Sequence, residues 1–141
     1  DVMKESVQIA LTLVKSMFPE EAEVLKEADL HIHVPAGAVP KDGPSAGITI
    51  VTALTSMLLN KGISPEFAMT GEVSLRGGVM PIGGLPEKLM AAQRAGIKTV
   101  FIPYDNREDL EDVAEEVKAE LHIIPVKRVE EVLKQTGLIS E

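Results

Sequence analysis

FAMTGEVSLRGGVMPIGGLPEKLMAAQRAGIKTVFI, residues 67–102, changes its pattern several times and decides the fold class. Phe67 to Thr70 and Val73 to Leu75 read as short strand segments. Gly77-Gly78 is a hairpin signal, and Val79 to Ile82 is its return strand. Gly83-Gly84 breaks the chain again. Pro86 suits the first turn of a helix, which Gly96 closes. Thr99 to Ile102 is a further strand, ended by Pro103. Strands and helix alternating in one stretch predict an α/β or α+β domain, in which a mixed β-sheet packs against helices.

The flanks continue the alternation. Upstream, Val7, Leu11, Val14 and Phe18 recur at helical spacing and predict an amphipathic helix over Val2 to Phe18, ended by Pro19. Leu30 to Val34 alternates, with Leu30, Ile32 and Val34 on one face and His31 and His33 on the other, as in a half-buried strand. The loop PAGAVPKDGPSAG, residues 35–47, runs into an apolar helix from about Ser45 to Asn60, with Gly62 marking its end. Downstream, Asn106 to about Glu120 reads as an acidic helix, Leu121 to Ile124 as a strand, and Val129 to Gln135 as a last helix before Gly137.

Composition narrows the function classes. The 141 residues suit one domain with a core of its own. With 45% hydrophobic and 26% charged residues the chain reads as soluble and globular, and with 3% aromatics the core must be aliphatic. The absence of cysteine rules out disulfides and thiolate metal sites and fits a reducing cytosol. A formal net charge of −8 argues against nucleic-acid binding through this domain. The longest apolar run, Ile48 to Leu59, is broken by Thr49, Thr52, Thr55 and Ser56 and falls short of the roughly 20 residues a membrane span needs. The opening residues DVMKES carry no signal-peptide pattern and no initiator methionine, so a longer parent chain is expected.

Two positions break local rules. Ser45 falls at a helix N-terminus, where free backbone N–H groups and the positive end of the helix dipole could hold an oxyanion. N-capping alone also accounts for a serine there. Lys88 has Ala91, Ala92 and Ala95 three, four and seven residues beyond it, which places it on a small apolar stripe, while Glu87 and Arg94 lie on another face. Burial disfavours an ammonium, and a neutral amine can take a proton from a serine hydroxyl. A lysine whose stem snorkels to solvent is the other reading.

PKDGPSAGIT around Ser45, and TGEVSLRGGVMPIGGLPEKLMAAQRAG from Thr70 to Gly96, resemble the two segments of Lon proteases that carry the nucleophile and the catalytic lysine. HIHVPAGAVPKDGPSAG, GIKTVFIPYDNREDLEDV and PVKRVEEVL resemble the rest of the proteolytic domain, so the resemblance covers nearly the whole chain. It implies a serine endopeptidase with Ser45 as nucleophile, Lys88 as general base and Thr70 orienting the lysine amine. Asp42 would sit in a loop that changes shape between inactive and active states. Glu72, Arg76, His31 and His33 would flank the site. A solvated strand edge for the histidines, and a surface ion pair for Glu72 and Arg76, are the plainer readings of those four.

The implied fold is that of a ribosomal small-subunit protein domain, a mixed sheet with helices mainly on one side. The family's domain starts with further strands upstream of DVMKES, so truncation at that edge is expected. In the family an AAA+ module and an N-terminal domain lie outside such a domain. The AAA+ module uses ATP and Mg; the domain itself needs no cofactor or metal. Unfolded, damaged or regulatory proteins are the implied substrates, in a cytoplasmic homohexamer serving protein quality control and the stress response. Pro86 stands where the family pattern suggests a polar residue, and the first turn of a helix accepts it.

Two other readings remain. A phosphate-binding, kinase-like domain would use a glycine-rich loop before a helix, yet the charge opposes it and no GxxxxGK[ST] occurs. A non-catalytic assembly module would lack the serine or the lysine, and both are present. His31 and His33 share a strand face, but no other ligand is spaced to complete a metal site with them.

Overall fold

The computed structural model describes residues 2–21, 23 and 47–140. In chain order the elements are α1 (Val2–Met17), α2 (Gly47–Leu59), β1 (Phe67–Met69), β2 (Glu72–Val73), β3 (Val79–Met80), α3 (Leu85–Arg94), β4 (Thr99–Pro103), a 3-10 helix (Tyr104–Asp112), α4 (Glu115–Glu120), β5 (His122–Val126) and α5 (Val129–Gln135). The fold class is α/β, as expected. The strand expected at Leu30 to Val34 lies outside the described residues.

Strand β4 is the centre of a three-stranded parallel sheet in the order β1-β4-β5. Phe101 lies opposite Met69 on one side and Ile124 on the other. Its run Val100-Phe101-Ile102 is continuously apolar because both of its faces are covered, as parallel strands require. Phe101 joins one core with Leu13 and Val14 of α1, Ile50 and Leu54 of α2, and Val132 of α5. Val100 and Ile102 join a second core with Leu85 and Leu89 of α3 and Val117 of α4. The described helices therefore cover both faces of this sheet, not mainly one. The chain needs both because the apolar residues of β4 alternate between them.

The remaining strands, β2 and β3, form a separate antiparallel hairpin with Glu72 opposite Met80 and Val73 opposite Val79. Its turn is closed by the Gly77 N–H donating to the Ser74 carbonyl at 3.0 Å. The tip is then pinned to the β5–α5 junction. Val79 N–H donates to the Lys127 carbonyl at 2.8 Å, and Val129 N–H to the Gly77 carbonyl at 2.9 Å.

Two boundaries differ from expectation. Helix α2 ends before Gly62, because Asn60 takes the left-handed conformation at φ 54°. Asn60 N–H then bonds to the Met57 carbonyl at 3.3 Å and Lys61 N–H to the Ser56 carbonyl at 3.0 Å, a Schellman closure in which asparagine replaces glycine. The acidic helix over 106–120 is instead a 3-10 helix and a short α-helix, separated by Val113 in extended conformation at φ −93° and ψ 134°. Helix α3 begins at Leu85, so Pro86 falls in its first turn as expected.

Phe101 is fully buried and stacks on Phe67 with ring centroids 5.7 Å apart. Phe101→Ala is expected to lower stability by about 3–5 kcal/mol, read by urea denaturation. A loss below about 1 kcal/mol would show that the two cores do not depend on this ring.

Candidate functional site

The start of α2, two residues beyond Ser45, docks onto the segment that contains Thr70. Ile48 N–H donates to the Gly71 carbonyl at 3.0 Å, and Thr49 Oγ1 lies 3.4 Å from the Met69 carbonyl. This docking needs Gly47. A Cβ there would stand 3.0 Å from the Val73 nitrogen and 3.3 Å from the Gly71 oxygen, both backbone atoms. Gly71 is constrained from the other side, since a Cβ on it would meet Val79 Cγ1 at 2.7 Å. Ser45, Asp42, His31 and His33 lie outside the described residues.

Thr70 is 5% exposed, between β1 and β2. Its N–H donates to the Phe101 carbonyl at 3.1 Å, so its backbone is held by β4. Its hydroxyl is buried and has no hydrogen-bond partner among the described residues. Leaving such a group unbonded costs about 1–3 kcal/mol. Its surroundings contrast with Thr52 and Thr55, whose buried hydroxyls each donate at 2.8 Å to the carbonyl four residues back, Ile48 and Val51.

Lys88 is in α3, and its N–H bonds to the Gly84 carbonyl at 3.2 Å. Its side chain is half-buried, but not on the stripe expected for it. Ala91 and Ala95 are exposed, and the helix buries Leu85 and Leu89 with Ala92 half-buried beside them. At about 100° per residue, Lys88 lies about 60° from Leu85 and about 40° from Ala92, on the flank of that face. The leucines win the core because they remove far more apolar area from water than alanines do. The outcome is a lysine with a covered stem at the border of the apolar face.

Glu72 is half-buried in β2, and Arg76 is exposed at the hairpin turn. No ion pair joins them among the described residues, which removes the surface-pair reading. The Arg76 carbonyl instead accepts from Arg128 Nη2 at 2.6 Å, and Arg128 also reaches Glu130 at 3.3 Å. Arg76 is thereby held by its main chain and presents its guanidinium to solvent.

One residue beside the site was missed from sequence. Asn106 is 2% exposed. Its Oδ1 accepts from the Ile82 N–H at 2.9 Å, and its Nδ2 donates to the Ile82 carbonyl at 2.9 Å and to Asp109 Oδ2 at 2.7 Å. The only sequence signal is an uncharged polar residue inside the acidic run DNREDLED.

The chain resembles known proteins over nearly all its length. A family model described as the Lon protease (S16) C-terminal proteolytic domain matches residues 1–138. The Lon protease of Clostridium beijerinckii is 58% identical over 140 residues, 99% of this chain and 18% of that protein. The Lon protease of Methanosarcina barkeri is 53% identical over 137 residues, 96% of this chain and 17% of that protein. For the Lon protease of Escherichia coli K12 the figures are 54% over 136 residues, 94% and 17%. The chain thus spans less than a fifth of the length of these relatives.

Thr70→Val keeps the shape of the side chain and removes the unbonded hydroxyl. The unfolding midpoint is expected to stay constant or rise in a thermal melt. A clear fall would show that the hydroxyl is bonded and structural.

Proposed function

This chain belongs to the Lon protease (S16) C-terminal proteolytic domain family, a family of serine proteases, and on that premise we propose that it cleaves peptide bonds with a Ser45–Lys88 dyad. The observation that best supports the dyad is the buried, unbonded hydroxyl of Thr70, the residue expected to orient the lysine amine, on the segment where the start of α2 docks. Two residues of chain reach no more than about 7 Å, so Ser45 is tethered close to Gly47 and that docking point.

The chemistry is acyl transfer. The Lys88 amine takes the Ser45 proton as the hydroxyl attacks the peptide carbonyl. Backbone N–H groups near the start of α2 hold the oxyanion, and Lys88 returns the proton to the leaving amine. Water then releases the acyl group by the same route. The Ile48 N–H is already bonded to the Gly71 carbonyl, so the oxyanion donors in this scheme lie upstream of it. Thr70 orients the Lys88 amine. Glu72, Arg76, His31 and His33 flank the site, and Asp42 belongs to the loop that changes shape between inactive and active states. No cofactor or metal takes part in this domain.

The wider activity is part of the same proposal. The chain works within a longer ATP-dependent protease, whose AAA+ module uses ATP and Mg and delivers unfolded, damaged or regulatory proteins to a cytoplasmic homohexamer. Nucleic acid is not bound through this acidic domain, and no helix among the described residues is long and apolar enough to cross a membrane.

The test is degradation of an unfolded model protein by the full-length protein, beside its Ser45→Ala and Lys88→Ala variants. Each variant is expected to lose at least about 10³-fold in peptide cleavage, while ATP hydrolysis and assembly persist. Continued cleavage in Ser45→Ala would refute the nucleophile and favour a non-catalytic assembly module.

A further inference from the structure

Between the hairpin and the lysine helix the chain passes Pro81, Ile82, Gly83 and Gly84. Gly84 has φ 72°, a conformation that glycine adopts without strain, and the two glycines in succession make this entry the least constrained part of the connection. The helix that follows is short, and its position matters to Lys88 directly. The Lys88 N–H closes a turn on the Gly84 carbonyl at 3.2 Å, so a shift of Gly84 is passed on to Lys88 within one turn.

What holds this entry is the side chain of Asn106. Its amide pairs with both main-chain polar atoms of Ile82, as a neighbouring strand would, with both bonds at 2.9 Å. The third bond, to Asp109 at 2.7 Å, fixes which end of the amide points where. Nδ2 has two acceptors, the Ile82 carbonyl and Asp109, and Oδ1 has one donor, so a flipped amide would lose all three bonds. The group is 2% exposed, which shields these bonds from water.

Asn106 is three residues beyond Pro103, the last residue of β4, and β4 also holds Thr70 through the Phe101 carbonyl at 3.1 Å. Leu85 and Leu89 pack the far side of α3 against Val100 and Ile102 of the same strand. Thr70 and the start of the Lys88 helix are therefore both set from β4, one through a backbone bond and the other through Asn106.

We propose that Asn106 is a positioning residue for Lys88, in that its bonds to Ile82 set where the lysine helix begins relative to Thr70. The proposal rests on the Ser45–Lys88 reading. Asn106 touches neither substrate nor reacting atoms in it. Loss of the clamp frees the entry across two glycines while the leucines still hold α3 in the core, so the helix survives with its lysine displaced. A displacement near 1 Å is enough to lower turnover on the order of 100-fold.

The experiment compares Asn106→Ala in the full-length protein with the parent on two short substrates of the same acyl group, a peptide amide and an activated ester. Lys88 must protonate an amine leaving group but not an activated alkoxide, so displacement weighs more on the amide. The expected result is a fall in kcat on the amide of about 30- to 100-fold. KM should stay within about twofold and the ester should lose at least about fivefold less, with ATP hydrolysis unchanged. A merely structural role would lower both substrates by the same factor. If Asn106→Ala fails to assemble, Asn106→Asp is read instead: it is isosteric, keeps the acceptor for the Ile82 N–H and loses both donors, and the same shift between amide and ester is expected. Equal losses on the two substrates, or an amide kcat within twofold of the parent, would overturn the proposal. Ser45→Ala and Lys88→Ala are run alongside. Should they still cleave the amide, the dyad reading fails and the positioning role falls with it. Should they be inactive while Asn106 variants are unaffected, only the positioning role fails.

Discussion

Val100 and Ile102 face one core and Phe101 the other, so strand β4 has no side left for water, and the structure around the candidate site hangs from it. A strand buried on both faces cannot slip by one residue, because a slip would carry each apolar side chain to the opposite core and break the packing of both. Parallel pairing to β1 and β5 closes its two edges as well. Fixed on both faces and both edges, it serves as the reference for its neighbours. The Thr70 backbone takes its place from the Phe101 carbonyl. Helix α3 takes its place from leucines packed on Val100 and Ile102.

The buried threonines separate structural from chemical demands. Helix α2 is buried on most of its surface, yet carries Thr52 and Thr55. Both satisfy their hydroxyls on their own helix, so neither needs a partner from elsewhere. Thr70 lies between two strands, and its hydroxyl has no hydrogen-bond partner among the described residues. An unbonded buried hydroxyl is a standing cost in the fold. Such costs are expected where a residue serves a group other than its own scaffold, and the lysine amine of the proposed dyad would be a group of that kind.

Legibility in the sequence followed burial and periodicity. Helix α1 and helix α5 were read nearly to the residue, because Val7, Leu11 and Val14 in one and Val129, Val132 and Leu133 in the other repeat at helical spacing on a buried face. The hairpin was legible from Gly77-Gly78. The acidic segment was not, because nothing in its spacing marks the break at Val113, where the chain turns extended between the 3-10 helix and α4. Nor was the face of Lys88. A stripe of alanines and a pair of leucines compete for the same core, and the larger apolar area decides. Asn106 was invisible for another reason. Its partner is the main chain of Ile82, and a main-chain partner leaves no mark on sequence. The matches in order and spacing around Ser45 and Lys88 did identify the family, since a long motif encodes contacts that no local rule can supply.

The docking of α2 also places a limit on how the site can work. A helix N-terminus ordinarily offers several free N–H groups. Here the Ile48 N–H is committed to Gly71, and Gly47 lies so close to Val73 that a methyl group would press on its backbone. The helix start is consequently fixed against the Thr70 segment at the expense of one potential donor. The nucleophile proposed at Ser45, two residues upstream of Gly47, is tethered by the chain to this fixed start. In the proposed acyl transfer the Ile48 N–H is not an oxyanion donor, while β4 sets the position of both Thr70 and the lysine helix.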